Sequence, residues 1–379
     1  MMKTFKYKIY PNKTVKAKID EILTTCRILY NNSLAERKQA YEERKESISY
    51  SQQQNALPQK KNDNEYLNSV HSQVLQDVLR RLDKAFDGFF RRTKAGEKPG
   101  YPRFQSKNHY NSFTYSQSGF SLEDSRLKIS KIGEVKIKLH RQIEGNIKTL
   151  TVIRKNGRYY ACFSCEIHPE ELPATGAVVG IDMGLMAFVT TSDGDIVETP
   201  KTYRKAESAL KHQQREVSRK VKGSNRRRKA VTVLSRQHEH VANQRRDISF
   251  KVAHSLLNQY DVIVHEDLNI KNMVQNHNLA KSIHDTGWGI FLNMLSGRAQ
   301  TNAAKKVIGV DPRNTSQICS KCGEIVSKTL SDRVHLCPYC GLEMNRDVNA
   351  AINILKRGMV SICYDVRDGL SWMGISIPV

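Results

Sequence analysis

The sequence predicts a multidomain protein that joins an α+β part to an α/β part, and three observations lead to this prediction. The chain has 379 residues, which is more than one hydrophobic core usually organises. Its first half passes from helical periodicity to the two-residue periodicity of strands, and its second half alternates apolar strands with helices. We therefore expect an N-terminal β-barrel with a helical insertion, followed by an α/β domain.

The helical insertion is predicted close to the N-terminus. Residues 1–10 alternate apolar and basic side chains, which is typical of a half-buried strand, and Pro11 ends it. Apolar residues then recur at helical spacing from Thr14 to about Lys45 and from about Val70 to Arg92. The stretch SQQQNALPQKKNDN between these helices is typical of a loop. We place the insertion at residues 11–99.

The other strands of the barrel follow the Gly- and Pro-rich stretch KAGEKPGYPRF. From there to the middle of the chain the side chains alternate with a period of two, and turn signals occur at Gly119, Gly133 and Asn156-Gly157. The N-terminal strand has the same pattern. We therefore assign residues 1–10 and 100–173 to one barrel.

The α/β part begins where AVVGIDMGLMAFVTTSDGDIV predicts two strands joined by a glycine-containing turn. Two helices broken at Gly223-Ser224, the apolar strand DVIVHEDLNI, a further helix and the strand KVIGVD follow in that order. A cysteine-rich segment separates the last strand from a final helix. The predicted boundaries are 174–316 and 343–358 for the α/β domain, 317–342 for the cysteine segment and 359–379 for a C-terminal tail.

The composition points to a polyanionic partner. Lys and Arg total 61 against 38 acidic residues, which gives a formal net charge of +23 and a pI near 9.7. A membrane surface is the other polyanion, but the sequence has neither a run of about 18 apolar residues nor an apolar signal segment at MMKTFKYKIY. We expect a cytoplasmic protein without a membrane partner, whose eight cysteines are not paired in disulfides.

Four of these cysteines have the spacing of a zinc site. Cys319 and Cys322 form one CxxC pair, Cys337 and Cys340 form a second, and a glycine directly follows each pair. Two thiolate pairs on tight turns make a closed tetrahedral Zn²⁺ site with no open position for catalysis, so we predict a structural zinc. Chance buried cysteines and an iron–sulfur site are the alternatives. The remaining CxxC, in YYACFSCEI, is predicted to hold ordinary buried thiols.

Three acids lie at the ends of predicted elements. Asp182 follows the apolar run AVVGI near the start of a long strand, Glu266 ends the strand VIVHE, and Asp347 opens the final helix. RNase H-like nucleases hold two Mg²⁺ ions roughly 4 Å apart with carboxylates that converge from separate elements. Each acid alone has a second interpretation, because strand-end acids are usually solvated and Asp347 could cap its helix. The combination predicts a magnesium site.

The other acids near these strands are assigned to turns and solvated faces, because alternate strand residues point away from a site that Glu266 faces. These acids are Asp193, Asp195, Asp267 and Asp311.

A strongly basic segment runs from Lys201 to Arg246, where Glu207, Glu216 and Glu239 are the acids. A solvated helix face would mix the two signs of charge, so a one-sided segment favours contact with phosphates. Basic residues also cluster at the end of the second helix of the insertion. The aromatic residues that follow this helix could stack on bases or fill a barrel core: Phe104, Tyr110, Phe113, Tyr115 and Phe120.

Several motifs together resemble the TnpB (OrfB) family of insertion-sequence proteins, which are relatives of type V CRISPR effectors. The motifs are GIDMGL, HEDLNI, AKSIHDTGWGIF, DPRNTSQICSKCG, CPYCG and NRDVNAAINIL. The resemblance spans nearly the whole chain and is most specific from Val178 to Leu355. It implies a WED barrel with an inserted helical REC domain, then an RNase H-like RuvC nuclease domain interrupted by a zinc ribbon.

The resemblance also implies the cofactors, the partners and the site. A guide RNA from the end of the mobile element would pair with double-stranded target DNA, and the protein would read a short adjacent motif. One protein copy per guide RNA is favoured, and the oligomeric state stays open. Residue by residue, the catalytic acids fall on Asp182, Glu266 and Asp347, which would hold Mg²⁺. The zinc ligands fall on Cys319, Cys322, Cys337 and Cys340.

The function that the resemblance implies is RNA-guided, Mg²⁺-dependent cleavage of DNA. Two alternatives stay open: an RNA-guided DNA-binding protein that does not cut, and a transposase that breaks and joins strands itself. Three intact acids within a basic protein argue against the first alternative. No recognition helix for transposon ends is identifiable in the sequence, which argues against the second.

Overall fold

The chain forms two compact units, Met1–His168 and Pro169–Val379. The structure is a computed structural model that describes residues 1–168, 172–302, 304–329 and 331–367. Each unit has its own hydrophobic core. None of the helices within the described ranges is long and apolar enough to cross a membrane.

The first unit combines five helices with an antiparallel sheet of seven strands. Its helices are α1 (Lys13–Arg44), α2 (Tyr50–Asn55), α3 (Leu57–Asn62), α4 (Glu65–Asn68) and α5 (Ser72–Lys94). Its strands are β1 (Met2–Tyr10), β2 (Ser112–Tyr115), β3 (Phe120–Glu123), β4 (Arg126–Ile129), β5 (Gly133–Lys138), β6 (Asn146–Lys155) and β7 (Arg158–Glu166). The strand order is β2-β6-β7-β1-β5-β4-β3, so the N-terminal strand is central.

Local sequence signals explain most of this unit. Asn156 and Gly157 both have positive φ angles and make the tight turn between β6 and β7 that their dipeptide predicts. Alternate residues of β1, including Phe5 and Tyr7, are fully buried. The apolar faces of α1 and α5 share one continuous core with these strands.

Two predictions for this unit were wrong in detail. The described strands form an open sheet and not a closed barrel, with β2 and β3 at its edges. The edge at β2 is occupied by α5, because the Arg81 side chain donates to the Ser112 carbonyl at 2.9 Å. The predicted loop SQQQNALPQKKNDN forms α2 and α3, and a capping box between Ser49 and Gln52 begins the first of them.

The second unit has strands β8 (Val178–Asp182), β9 (Ala187–Thr191), β10 (Ile196–Glu198), β11 (Val262–Glu266), β12 (Lys306–Val310), β13 (Val334–Leu336) and β14 (Glu343–Asn345). Its helices are α6 (Thr202–Ser218), α7 (Asn225–Gln259), α8 (Ile270–Met273), α9 (His277–Thr286), α10 (Trp288–Ala299) and α11 (Arg346–Arg367). The main sheet has the order β10-β9-β8-β11-β12. Strands β8, β11 and β12 are parallel, and β9 and β10 are antiparallel.

Helices cover both faces of this sheet, as an α/β domain requires. On one face, Ile181 and Ile263 pack with residues of α7 and α10 such as Leu257 and Phe291. On the other face, Val264 packs with Ile354 of α11. The small strands β13 and β14 pair with each other beside the cysteine segment, which therefore forms a separate ribbon between β12 and α11.

The final helix lies unusually close to the sheet. A Cβ atom on Gly180 of β8 would lie 2.1 Å from the Ala351 carbonyl oxygen of α11, and one on Gly358 would lie 2.4 Å from Val264. Small residues on both sides therefore set the position of α11. This helix was predicted to end near Lys356 but continues to Arg367, and the predicted C-terminal tail beyond it lies outside the described residues.

Candidate functional site

Two of the predicted acids lie at the carboxyl edge of the main sheet. Asp182 is the last residue of β8, and Glu266 is the last residue of the adjacent parallel strand β11, with Ile181 paired to His265. Side chains alternate along a strand, so both acids project toward the face that α11 covers. Asp182 was expected near the start of a long strand. The structure corrects this expectation, because β8 ends at this residue.

The third acid, Asp347, lies in the first turn of α11. The alternative that Asp347 caps this helix is not what the structure shows. The Asn345 side chain accepts hydrogen bonds from the backbone N–H groups of Asp347 and Val348, at 2.8 and 3.3 Å, and therefore caps the helix. The carboxylate of Asp347 is not used for capping.

The electrostatics of Asp182 indicate that the three acids are neighbours. Burial raises the pKa of Asp182, and the charges of Glu266 and Asp347 raise it further, to about 8. Arg346 and the backbone N–H of Met183 act in the opposite direction without reversing the shift. The structure thus places acidic groups at this edge of the sheet, where water solvates them poorly.

Glu266 has a partner that sequence reasoning missed. The hydroxyl of Thr315, which is 3% exposed, donates a hydrogen bond to Oε1 of Glu266. Burial raises the pKa of Glu266, and the Thr315 hydrogen bond and the Arg357 charge lower it in part. Thr315 lies in the turn after β12, within the motif DPRNTSQICSKCG, but nothing in that motif indicates that its hydroxyl contacts Glu266.

The donor set of the three acids suits a hard divalent cation, because Mg²⁺ binds carboxylate oxygens and would relieve the repulsion that raises the Asp182 pKa. The acids do not form a closed cage. Among all His, Cys, Asp and Glu side chains within the described ranges, the four cysteines are the one group of three or more whose ligand atoms lie close enough together to hold a metal ion. An open set of acids leaves coordination positions for waters and phosphate oxygens.

The cysteine cluster matches its prediction. The sulfur atoms of Cys319, Cys322, Cys337 and Cys340 all lie within 4.8 Å of one another. Gly323 and Gly341, directly after the pairs, have φ angles of +84° and +69°, which glycine adopts without strain. Four sulfurs at these separations fit tetrahedral Zn²⁺.

One cysteine of this cluster is prepared for metal binding by its backbone. Burial raises the pKa of the Cys319 thiol, but hydrogen bonds from the backbone N–H groups of Cys322 and Lys321 outweigh it and lower the pKa to about 5. These backbone N–H groups therefore favour the thiolate of Cys319, which is the form that binds a metal ion. By contrast, Cys162 and Cys165 lie on β7 in the first unit, and burial raises their pKa values.

The basic segment forms the helical pair α6 and α7, and a buried acid anchors it. Asp285 of α9 is 2% exposed and accepts hydrogen bonds from the backbone N–H groups of Tyr203 and Arg204, at 2.7 and 3.1 Å. The Arg245 side chain of α7 donates to the same carboxylate at 3.3 Å. Asp285 thus caps α6 and ties both helices to α9. The sequence analysis quoted IHDTGWG but did not assign this role.

The basic helices expose most of their cations. Glu207 is paired with Lys211 and Lys281, and Glu216 is paired with Lys220. The remaining exposed cations include Lys201, Lys205, Arg215, Lys222, Arg226 and Arg246. A phosphate backbone is the ligand that such a face suits.

The aromatic residues of the first unit divide into two groups. Tyr110, Phe113 and Tyr115 are buried and Phe120 packs against the same core, so core packing explains four of the five rings that could have stacked on bases. Phe104 is 56% exposed. The sequence analysis also missed the exposed rings Phe90 and Tyr101, which lie in a cluster of aromatic rings at the end of α5.

Two of the four neighbouring acids that were assigned to turns and solvated faces accept hydrogen bonds. Asp311 accepts from the backbone N–H of Arg313 at 3.0 Å, and Asp193 accepts from the Tyr260 hydroxyl at 2.8 Å.

Three segments of the chain match known family models. Residues 162–277 match the OrfB_IS605 model, described as "Probable transposase", and residues 288–354 match a model described as "Cas12f1-like, TNB domain". Residues 1–46 match a model described as "Helix-turn-helix domain". These residues, all within the described ranges, form β1 and the single helix α1, so they contain no helix-turn-helix.

Two curated proteins are similar over nearly their whole length. A "Putative RNA-guided DNA endonuclease" of Streptomyces pristinaespiralis is 34% identical over 96% of this chain and 91% of the relative. The "Putative RNA-guided DNA endonuclease InsQ" of Escherichia coli (strain K12) is 31% identical over 94% of this chain and 92% of the relative. Among solved structures, "Structure of the mini-RNA-guided endonuclease CRISPR-Cas_phi3" has 11% identity and a TM-score of 0.49, covering 96% of this chain and 92% of that chain.

Proposed function

The chain belongs to the TnpB (OrfB) family, and from this premise we propose that it is an RNA-guided DNA endonuclease that hydrolyses target DNA at Asp182, Glu266 and Asp347. The observation that carries the proposal is the arrangement of these acids. They come from two adjacent parallel strands and the first turn of α11, and two of them raise the pKa of the third. A charge cluster of this kind is typical of a functional site.

The three carboxylates are proposed to hold Mg²⁺, which would neutralise the attacking and leaving oxygens of a phosphodiester in the transition state. The chain supplies the positions of the ligands. Parallel pairing of β8 and β11 sets the first two carboxylates side by side, and the close packing of α11 on Gly180 sets the third. Thr315 orients Glu266 through its hydroxyl.

The four cysteines are proposed to hold a structural Zn²⁺ ion that folds the ribbon at 317–342 within the nuclease domain. We infer that residues 174–316 and 343–358 make up this RuvC-like domain. In the first unit, 1–10 and 100–173 would correspond to the WED part and 11–99 to the helical REC part. The support for this layout is that the chain changes from strand to helices after β1 and from helices to strands after α5; its boundary at 358 lies within α11.

The nucleic-acid partners are a guide RNA and a double-stranded DNA target. The net charge of +23 and the exposed cations of α6 and α7 support contact with phosphates, which carries no sequence information. Specificity would then come from base pairing between guide and target.

The test begins with the full chain purified together with the RNA that it retains. That RNA is sequenced, and a plasmid library that carries its complement beside randomised flanks is incubated with the complex and Mg²⁺. We expect guide-dependent cutting that Asp182→Ala abolishes. Asp195→Ala is the matched control, because Asp195 is an exposed acid in the turn between β9 and β10, and it should cut like the wild type.

Other outcomes assign other functions. Tight binding to the complementary target without cutting would identify an RNA-guided binding protein. A joined DNA product would identify a transposase. Cutting by the Asp182→Ala variant would remove the three acids from the mechanism.

A further inference from the structure

The cysteine ribbon and the acidic site are connected by a continuous set of buried and partly buried hydrogen bonds. The connection starts at Thr315, whose hydroxyl donates to Glu266 and whose backbone carbonyl accepts from the Asn353 side chain at 2.9 Å. Asn353 lies on α11 and is 6% exposed. A carboxylate of the site is therefore two hydrogen bonds from α11.

The same face of α11 holds the first cysteine pair. Asn353 and Asn349 both donate to the Ile318 carbonyl, each at 2.7 Å, and Asn349 also accepts from the Ser320 backbone N–H at 2.9 Å. Lys356 donates to the Ser320 carbonyl at 2.6 Å. Cys319 is thus fixed on both of its flanks by one helix.

This helix also carries the third acid. Asn349 is fully buried and lies two residues after Asp347, and Asn353 lies one turn further along the same face. Buried amide groups are costly to leave unpaired, so these side chains hold their partners in one arrangement. A shift of the Cys319 loop would therefore move the first turn of α11 and the Thr315 backbone together.

We propose that Thr315, Asn349 and Asn353 are positioning residues, which make the zinc ribbon a support for the acidic site and place Glu266 and Asp347 for divalent-cation binding. The proposal rests on the proposed function, because it assumes that the acids hold a cation. It goes beyond that function by giving the zinc ion a role in the cation affinity of a second site. These residues would act through Glu266 and α11 and not as ligands of the cation.

The test measures cation binding and not cleavage. Mn²⁺ is titrated into the full chain, freed of nucleic acid, and the free Mn²⁺ is followed by electron paramagnetic resonance. Thr315→Val removes the hydroxyl and keeps the shape of the side chain. We expect it to lower the Mn²⁺ affinity about 10- to 100-fold, the usual effect of removing the hydrogen-bond partner of a metal ligand. Thr315→Ser restores the hydroxyl and should restore binding.

Thr301→Val is the matched control. The Thr301 hydroxyl donates to the Arg298 carbonyl at 2.7 Å, the Thr315 hydroxyl oxygen lies 3.1 Å from the Pro312 carbonyl oxygen, and Thr301 has no contact with the three acids among its hydrogen bonds in the described residues. Its Mn²⁺ affinity should equal that of the wild type. Equal affinity in Thr315→Val and the wild type would overturn the proposal.

A second measurement does not depend on a variant that must fold. Zinc is withdrawn from the wild-type chain with a zinc-selective chelator, the chelator is removed, and Mn²⁺ is titrated again. We expect weaker Mn²⁺ binding that zinc restores. Unchanged binding after verified zinc loss would overturn the proposal. Asp182→Ala separates the two ideas: if it leaves Mn²⁺ binding intact, the proposed metal site itself is wrong, whatever Thr315 does.

Discussion

Strand β11 has an acid at each of its ends, and the two acids have opposite environments. Asp261, directly before the strand, accepts from Lys305 at 2.7 Å and from the backbone N–H groups of Thr175 and Gly176. Burial raises its pKa, but these partners outweigh burial and lower it. At the other end, burial raises the pKa of Glu266.

This difference is the one expected between a structural acid and a proposed metal ligand. Asp261 has a cation and several donors within the protein, so its charge stabilises the fold. At the other end, Asp182 is buried beside the charges of Glu266 and Asp347, and the proposed divalent cation would relieve the repulsion among them. The pKa of Glu266 stays raised, whereas the partners of Asp261 at the other end of the same strand lower its pKa. Buried charge that the protein itself does not compensate is typical of a site that binds a ligand.

The largest expected effect is a difference in cleavage rate between variants of Glu266 and of Asp261. Glu266→Gln should lower guided cleavage on the order of 10³-fold or more, because the variant loses a proposed metal ligand. Asp261→Asn should leave the rate per folded molecule unchanged, because Asp261 lies at the opposite edge of the sheet. Cleavage rates corrected for the folded fraction measure both. Equal losses in the two variants would contradict the assignment.

The next effect concerns stability. The side chain of Lys305 is fully buried against Asp261. Lys305→Met should lower the free energy of unfolding by about 3–5 kcal/mol, because it leaves a buried carboxylate without its cation. Chemical denaturation measures this loss. Lys306→Met, at the adjacent and more exposed position, is the control and should have a smaller effect.

A substitution that displaces α11 should have a smaller effect on the free energy of unfolding. Gly180→Ala should cost about 1–3 kcal/mol of stability, because its Cβ would overlap the Ala351 carbonyl, and it should also reduce cleavage as Asp347 shifts. Gly297→Ala on α10, where a Cβ meets no atom within 4 Å, should stabilise the protein by about 1 kcal/mol. A Gly180→Ala variant with wild-type melting and cleavage would show that α11 is not set by this contact.

The smallest effect is a pH dependence. Because the pKa of Asp261 is lower in the folded chain than its ordinary value of 3.8, its ionised form stabilises the fold above that value. This stability is lost as the pH falls through the lowered folded pKa. The difference in melting temperature between wild type and Asp261→Asn should therefore be full at pH 6 and shrink below about pH 4. A difference that is constant from pH 6 to pH 2 would exclude this linkage.

The parts of the molecule that local chemistry determines were predictable. The cysteine spacing, the Asn156-Gly157 turn and the break at Gly223-Ser224 need only neighbouring residues, and the structure has each of them. The helix pair α2 and α3 was missed because a polar stretch with proline resembles a loop until its caps are recognised.

The parts that depend on distant contacts were not predictable. No local pattern indicates that α5 covers the edge at β2 and that the sheet stays open. Thr315, Asn353 and Asp285 act through partners that are far away in the chain, and nothing in a single sequence pairs them. The assignment of the three acids as catalytic stays a prediction, although the parallel pairing of β8 and β11 places two of them, Asp182 and Glu266, side by side.

The turn at Gly223 has a practical consequence. It is exposed, its φ angle is +85°, and a Cβ there would meet no atom within 4 Å. The helices on either side are anchored at points that do not include this turn. Asp285 contacts the start of α6 and Arg245 of α7. New chain ends or an inserted reporter domain could therefore be introduced at Gly223 without releasing either helix, which makes it a suitable position for a split version of the protein.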